Sequence, residues 1–415
     1  MTFTEPGKSY LKTSVDEIIK DATTPKDKDH ADIPALILGV TDRNGNVYLN
    51  GGGVRNINTG TPVHVDDRLC YFSCTKSITV MGLLKLYEEG KVDLDAPVSK
   101  YLPEISEIGL IEPESVNEED GTYLIEPRPP KNAVTVRHLL LHTAGFSYGF
   151  LNYDYFLLAT KNRPDLDLVN PTKEFFSNLK TPLVHEPGTK WMYGYNIDWL
   201  GFVIQKIAGK KLGEYLHEVI FEPAGLSTTF HPLNDSSLVR LHLRRRNGNF
   251  RLLEGKQTVS LDPELDLGGQ GAFGSVGDYL KFMRIWLNYG LSPDTGKRIL
   301  KEDTVKFAIK NHLPAEIDME FPGLTTNKLQ DPYNREGYTL SGNAYISNDL
   351  PSGISKGSIY WSGAANLFYW IDFKNGVAGF FGGQIFPFLD PKATAAYEKF
   401  EESVYNALKG AKGKL

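Results

Sequence analysis

Ser73-Cys74-Thr75-Lys76-Ser77-Ile78-Thr79-Val80-Met81-Gly82-Leu83-Leu84-Lys85-Leu86-Tyr87-Glu88-Glu89-Gly90 is the stretch from which the rest of the chain is read. Ile78, Met81, Leu84 and Leu86 supply an apolar pattern of helical type and Gly90 a stop, so this segment reads as a buried helix with Ser73 in its first turn. Lys76 follows Ser73 by three residues, a spacing that puts hydroxyl and amine on one helical face. At a helix N-terminus the backbone dipole also favours developing negative charge. Ser-x-x-Lys by itself is not selective, because it recurs at Ser9-Tyr10-Leu11-Lys12 and Ser177-Asn178-Leu179-Lys180. Serine is also a preferred helix cap, so a cap followed by a surface lysine is the plain alternative.

Strand patterns lie outside this helix on both sides. Ala35-Leu36-Ile37-Leu38-Gly39-Val40, the turn Arg43-Asn44-Gly45-Asn46 and Val47-Tyr48-Leu49 read as a β-hairpin, the Asn-Gly pair accommodating positive φ. Near the other end, Gly357–Trp361, Asn366–Asp372 and Val377–Phe381 form antiparallel strands, the last two joined by Lys374-Asn375-Gly376. Helices flank both groups: Leu11, Val15, Ile18 and Ile19 mark one over Tyr10–Lys20, and Ala395, Phe400, Val404 and Leu408 mark another over Pro391–Leu408. Between them Ser77–Glu89, Val136–His142, Asp198–Ala208, Leu212–Val219 and Val276–Tyr289 are helical. The expected fold is therefore α+β: an antiparallel sheet of distant segments, flanked by N- and C-terminal helices, with a large, mostly helical inserted lobe. The expected division is 1–65 with 291–415 for the sheet domain and 66–290 for the lobe.

Composition narrows the function. The 415 residues carry 45 Lys plus Arg against 51 Asp plus Glu, a net charge of −6, which argues against nucleic acid as a partner. A hydrophobic fraction of 41% and a charged fraction of 23% describe a folded chain with a sizeable core. Cys70 and Cys74 are the only cysteines and lie four apart, which excludes a disulfide framework and suits a reducing, cytoplasmic setting. No signal-peptide pattern opens the sequence and no long apolar run suggests a membrane partner. Gly413-Lys414-Leu415 departs from the peroxisomal Ser-Lys-Leu address in its first residue and reads as an ordinary tail.

Six other motifs bear on chemistry. In Pro187-Gly188-Thr189-Lys190-Trp191-Met192-Tyr193-Gly194-Tyr195-Asn196-Ile197-Asp198-Trp199 a turn delivers Tyr193 just before a helix, and a phenol beside an ammonium can serve as general base or acid. The alternative is a core aromatic. Trp361-Ser362-Gly363-Ala364 ends a strand in small residues, which allow a backbone N–H to approach a reacting carbonyl oxygen. Gly145-Phe146-Ser147-Tyr148-Gly149 spells the nucleophile-elbow pattern Gly-x-Ser-x-Gly, but a helix precedes it rather than a strand, with Gly145 as its stop. His138 and His142 are four apart without an intervening Glu or a third ligand, so no metal is expected. Gly51-Gly52-Gly53 and Gly268-Gly269-Gln270-Gly271 lack the lysine of a phosphate loop, and no cofactor is expected.

Taken in order, Ser73–Lys76, Thr135–Gly145, Trp191–Trp199, Gly268–Gly271 and Trp361-Ser362-Gly363 resemble the serine β-lactamase and penicillin-binding-protein family over nearly the whole chain. They are most similar to its ester-processing branch, the family VIII carboxylesterases and the fungal lovastatin-type acyltransferases. The resemblance implies a β-lactamase/transpeptidase-like fold. It also implies a serine esterase or transesterase working through an acyl-Ser73 intermediate, with Lys76 as proton partner and Tyr193 as general base. The backbone N–H groups of Ser73 and Ala364 would form the oxyanion hole. Tyr148, Trp191, Trp361 and Gly363 are expected to bind substrate, with Phe150, Tyr153, Tyr155 and Phe386 as further candidates for lining the pocket. Trp361 stands where lactamases of this family carry the lysine of Lys-Thr-Gly, and Tyr193-Gly194-Tyr195 lacks the Asn of their Tyr-x-Asn. Both departures favour a neutral, hydrophobic ester over a β-lactam carboxylate. Expected partners are a small-molecule ester, an alcohol acceptor and, as one option, an acyl-carrier donor. A β-lactamase or D-amino peptidase, and a non-catalytic penicillin sensor or scaffold, are the alternatives.

Overall fold

The computed structural model describes residues 2–25, 31–162, 169–177, 182–233, 236–319 and 336–410. The tail Gly413–Leu415 and the Lys180 of the third Ser-x-x-Lys lie outside the described residues. Helix α1 (Glu5–Thr23) starts where Thr4 Oγ1 accepts from the Gly7 N–H at 3.1 Å, with Pro6 in its first turn. Cap and proline set that start, so the helix is longer than apolar periodicity alone indicated. Strands β1 (Ala35–Asp42), β2 (Asn46–Asn56) and β3 (Thr61–Pro62) follow. The late part of the chain supplies β4 (Gly337–Tyr338), β5 (Ala344–Tyr345), β6 (Ile359–Gly363), β7 (Leu367–Asp372) and β8 (Val377–Gly382). They form one sheet in the order β3-β2-β1-β8-β7-β6-β5-β4, with antiparallel neighbours throughout.

The two hairpin turns differ. Gly376 takes φ +69°, as an Asn-Gly turn requires, whereas neither Asn44 nor Gly45 has positive φ. The first turn is instead closed by Asp42, whose Oδ1 accepts from the N–H of Asn44 at 2.8 Å and of Gly45 at 3.1 Å.

Both faces of the central strands are covered, which is why β7 and β8 are buried at every residue and read as continuous apolar runs. On one face Leu36, Leu38, Trp370 and Phe381 pack with Leu11, Val15 and Ile19 of α1 and with Phe400 and Val404 of α6 (Pro391–Leu408). On the other, Ile37, Tyr369, Ile371 and Phe380 join the larger core. That core includes α2 (Thr75–Glu88), α4 (Asn196–Ala208) and α5 (Val276–Leu287). Each fully buried Leu, Ile or Phe contributes about 1.5–3 kcal/mol. Gly39 lets α5 approach the sheet, because a Cβ there would lie 2.8 Å from Leu280 Cδ1.

Helix boundaries differ from apolar spacing where backbone detail decides. Helix α3 covers only Val136–Leu140 and ends just before His142, whose φ is +56°, while Gly145, with φ +107°, turns the chain again beyond the helix. The segment read as helix over Leu212–Val219 is α-helical over Leu212–Leu216 and widens to a π turn over His217–Phe221. Among the described residues no helix is long and apolar enough to cross a membrane.

Candidate active site

Ser73 occupies a single 3₁₀ turn, Phe72–Cys74, that leads directly into α2. Phe72 has φ +46°, a costly conformation for a bulky residue, and this turn sets Ser73 at the mouth of the helix. No side chain caps the helix, so Ser73 is not spent on capping. Lys76 is wholly buried. Its Nζ donates to Ser73 Oγ at 3.1 Å, to Tyr148 Oη at 3.2 Å and to the Gly269 carbonyl at 2.9 Å, which uses all three ammonium protons. The other described Ser-x-x-Lys behaves differently: Lys12 is 72% exposed and paired with Asp16.

Tyr193 completes the group. Its Oη lies 2.7 Å from Ser73 Oγ, its ring centroid lies 4.6 Å from Lys76 Nζ, and Trp361 Nε1 donates to its Oη at 3.3 Å. The turn before α4 holds it in place: Gly188 N–H bonds to the Thr143 carbonyl at 2.7 Å and Met192 N–H to the His142 carbonyl at 2.8 Å. Gly194 is required for close approach, since a Cβ there would fall 2.4 Å from the Phe146 carbonyl oxygen. Trp191 stacks on Tyr193 at 6.1 Å and 10°. His142 packs at 4.9 Å from the Tyr193 ring, and Asn196 Nδ2 stands 3.0 Å from its Nδ1. Burial first, and the Lys76 charge second, hold the His142 imidazole well below its ordinary pKa and therefore neutral.

Strand β6 closes the remaining side. Trp361 pairs with Tyr369, and Trp361 and Gly363 share a strand face by alternation. Gly363 lies so close to the Tyr71–Ser73 turn that a Cβ would sit 2.6 Å from the Tyr71 carbonyl oxygen. Ala364 follows it at the strand end. Lys356 is exposed and five residues away, and its N–H bonds to Asp349, so no register brings a lysine to the Trp361 position.

Several residues contribute whose roles the sequence did not assign. The Gly268–Gly271 loop packs along α2, with Thr79 Oγ1 donating to the Gly268 carbonyl at 2.8 Å and Lys76 to that of Gly269. Asp198, in the first turn of α4, is buried and accepts from the Gly269 N–H at 2.9 Å. Burial pushes its carboxyl up to about 6, against the opposing pull of Lys76. An acid inside the quoted Trp191–Trp199 motif was visible, but a contact made through a backbone amide far along the chain leaves no spacing signal.

Other candidates fall elsewhere. Ser147 is buried, its Oγ reaches only the Tyr148 carbonyl at 3.4 Å, and α3 with a turn precedes it, so no nucleophile elbow forms. His138 is spent in a capping box with Thr135, apart from the His142 contacts. Tyr148 lines the site and Phe150 stacks on it at 5.2 Å while remaining 69% exposed. Tyr153 is also exposed, and Phe386 meets Phe72 edge-on at 5.7 Å beside the Ser73 turn. Tyr155 instead belongs to the core, its hydroxyl bonded to the Pro182 carbonyl.

The chain is similar to known proteins over most of its length. An acyltransferase, calJ, of Penicillium decumbens is 30% identical over 378 residues, covering 88% of this chain and 87% of its own. The lovastatin esterase of Penicillium rubens is 29% identical over 382 residues, 86% of this chain and 90% of its own. Among solved structures, the LovD6 mutant of simvastatin synthase from Aspergillus terreus superposes with a TM-score of 0.79 at 25% identity, covering 98% of this chain and 96% of that one. Residues 15–400 match the family described as Beta-lactamase, and the chain is a member of that family.

Proposed function

We propose that the protein is a serine esterase or transesterase that carries acyl groups on Ser73. The observation that carries this reading is the convergence on Ser73 Oγ of Lys76 Nζ at 3.1 Å and Tyr193 Oη at 2.7 Å. A serine hydroxyl is a weak nucleophile until a base takes its proton, and both groups stand within reach of that proton. In its phenolate form, held beside the Lys76 ammonium, Tyr193 accepts the Ser73 proton as Oγ bonds to the ester carbonyl carbon. The carbonyl oxygen becomes an oxyanion held by the Ser73 and Ala364 N–H groups. Its collapse breaks the bond to the leaving alcohol, which takes the proton from Tyr193. Water or a second alcohol repeats the sequence on acyl-Ser73 and gives acid or new ester.

Trp361 shapes selectivity. Its indole donates to Tyr193 Oη and presents an apolar surface where a carboxylate-binding lysine would stand, which favours neutral esters over β-lactams. Similarity to proteins named as acyltransferases and a lovastatin esterase supports a small-molecule acyl substrate, an alcohol acceptor and the option of an acyl-carrier donor. Two buried, unpaired thiols, Cys70 and Cys74, support a cytoplasmic site of action.

The test is intact-protein mass after brief exposure to p-nitrophenyl butanoate, with nitrophenol followed in parallel. A butanoyl adduct mapped to Ser73, and its conversion to a new ester when an alcohol is added, is the expected result. Absence of the adduct under rapid nitrophenol release, with Ser73→Ala equally active, would sink the reading. Phe150, exposed and stacked on Tyr148, extends the apolar wall outward. Phe150→Ala should raise KM for a p-nitrophenyl octanoate about 5-fold, the equivalent of about 1 kcal/mol of lost apolar contact, and leave the acetate KM unchanged. Steady-state kinetics on the two esters measures the contrast.

A further inference from the structure

Lys76 is buried, yet all three of its hydrogen-bond acceptors are formally neutral: Ser73 Oγ, Tyr148 Oη and the Gly269 carbonyl. Among the described residues no carboxylate forms an ion pair with it. A cation out of water requires compensating charge, and without it tends to lose its proton. Asp198 supplies the missing charge at one remove. It is buried, its Oδ1 accepts from the Gly269 N–H at 2.9 Å, and the same residue's carbonyl accepts from Lys76 Nζ. Gly269 is what brings the two charges so near: a Cβ there would lie 2.5 Å from Asp198 Oδ2. The Tyr148 hydroxyl, which accepts from Lys76 Nζ, also supports the Asp198 carboxylate, so a second link joins the two charges beside the Gly269 backbone.

We propose that Asp198 is a positioning residue, the buried counter-charge that acts through the Gly269 backbone to keep Lys76 an ammonium aimed at Ser73. The proposal rests on the reading of Ser73 as nucleophile and extends it to a residue that touches no substrate. The groups facing Asp198 are Lys76 from α2, Tyr148 from the segment after α3 and Tyr195 from the turn before α4, and burial keeps both phenols neutral. Its ionisation, displaced upward to about 6 by burial, therefore controls the charge balance around Lys76. Above that pH the carboxylate supports the ammonium, and below it the support is withdrawn.

The sign for stability is opposite to that for activity. Between the carboxyl's ordinary pKa and about 6 the folded protein holds this proton more tightly than the unfolded chain, so ionising Asp198 destabilises the fold as pH rises. Asp198→Asn keeps an oxygen for the Gly269 N–H and removes the charge. It should lower kcat/KM for p-nitrophenyl butanoate at pH 8 about 10- to 100-fold. It should abolish the acid limb centred near pH 6 and leave Tm at pH 8 equal or higher. An acid limb that persists near pH 6 in Asp198→Asn, or unchanged kcat/KM, overturns the proposal. So does a variant that only loses Tm. Intact mass separates the two levels: adducts on Ser73 in both proteins with identical pH profiles overturn the role of Asp198 alone, whereas no adduct on wild type overturns the Ser73 reading and the proposal with it. Should the variant not fold, wild-type single-turnover acylation decides, with a midpoint near pH 6 expected and a rate flat from pH 5 to 8 overturning the proposal.

Discussion

Ser73→Ala is expected to lower esterase activity at least about 10⁴-fold, the scale seen when the nucleophile of an acyl-enzyme mechanism is removed. No other described serine is placed to replace it: Ser147, the rival by motif, is buried and bonded only to a neighbouring carbonyl. The Lys76 and Tyr193 groups that met on Ser73 Oγ lose a partner at a position that is only partly buried, where water can take its place. The expected cost in stability is therefore within about 1 kcal/mol. Nitrophenol release, intact mass and a thermal melt measured together check the prediction. A folded Ser73→Ala protein that keeps a tenth of wild-type activity would move the nucleophile elsewhere.

The second large effect is expected at Lys76. Methionine approximates the shape of its stem without the charge, so Lys76→Met isolates the ammonium. Three hydrogen bonds disappear and the Gly269 carbonyl is left without its donor, at a cost of about 1–3 kcal/mol. With the opposing charge gone, Asp198 is driven further toward its neutral form, which limits the electrostatic part of that cost. Activity should fall about 10²- to 10³-fold, the scale seen when one preorganised charge-stabilising donor is removed. The burst of nitrophenol should slow by the same factor, because the loss lies in acylation. Stopped-flow kinetics with a melting curve tests this, and a burst within threefold of wild type would remove Lys76 from the machinery.

The residues that carry these predictions were legible because their signal is local. Ser73 and Lys76 lie three apart, across the junction of a 3₁₀ turn and α2, and Tyr193 sits between a proline-glycine turn and an apolar helix. Strands β1, β7 and β8 were equally plain, since burial on both faces leaves continuous apolar runs. Two-residue strands such as β4 and β5 are too short to carry a period. Gly51-Gly52-Gly53, weighed as a phosphate loop, lies inside β2, where Gly52 gives α1 room: a Cβ there would meet Ile19 Cγ2 at 2.6 Å. Asp198 and Gly269 lay inside quoted motifs, but their role beside Lys76 was not legible, for another reason. Their link to Lys76 runs through a backbone amide and carbonyl, the latter 193 residues from the lysine, and backbone groups are the same at every position.

The order of strands has a consequence for biosynthesis. β1 pairs with β2 early in the chain, but its other edge is met only by β8, Leu38 opposite Phe381 and Gly39 opposite Phe380. While β8 is still within the ribosome, that edge and the apolar face of α1 that later meets α6 stay open to solvent, a template for wrong pairing. Trp361 and Gly363 also arrive late, so Ser73 and Lys76 wait through most of translation without the strand that encloses them. Termination ahead of β8 therefore yields a chain whose β1 has an unpaired edge and whose Ser73 turn lacks β6 and its neighbours, rather than a smaller copy of the same site.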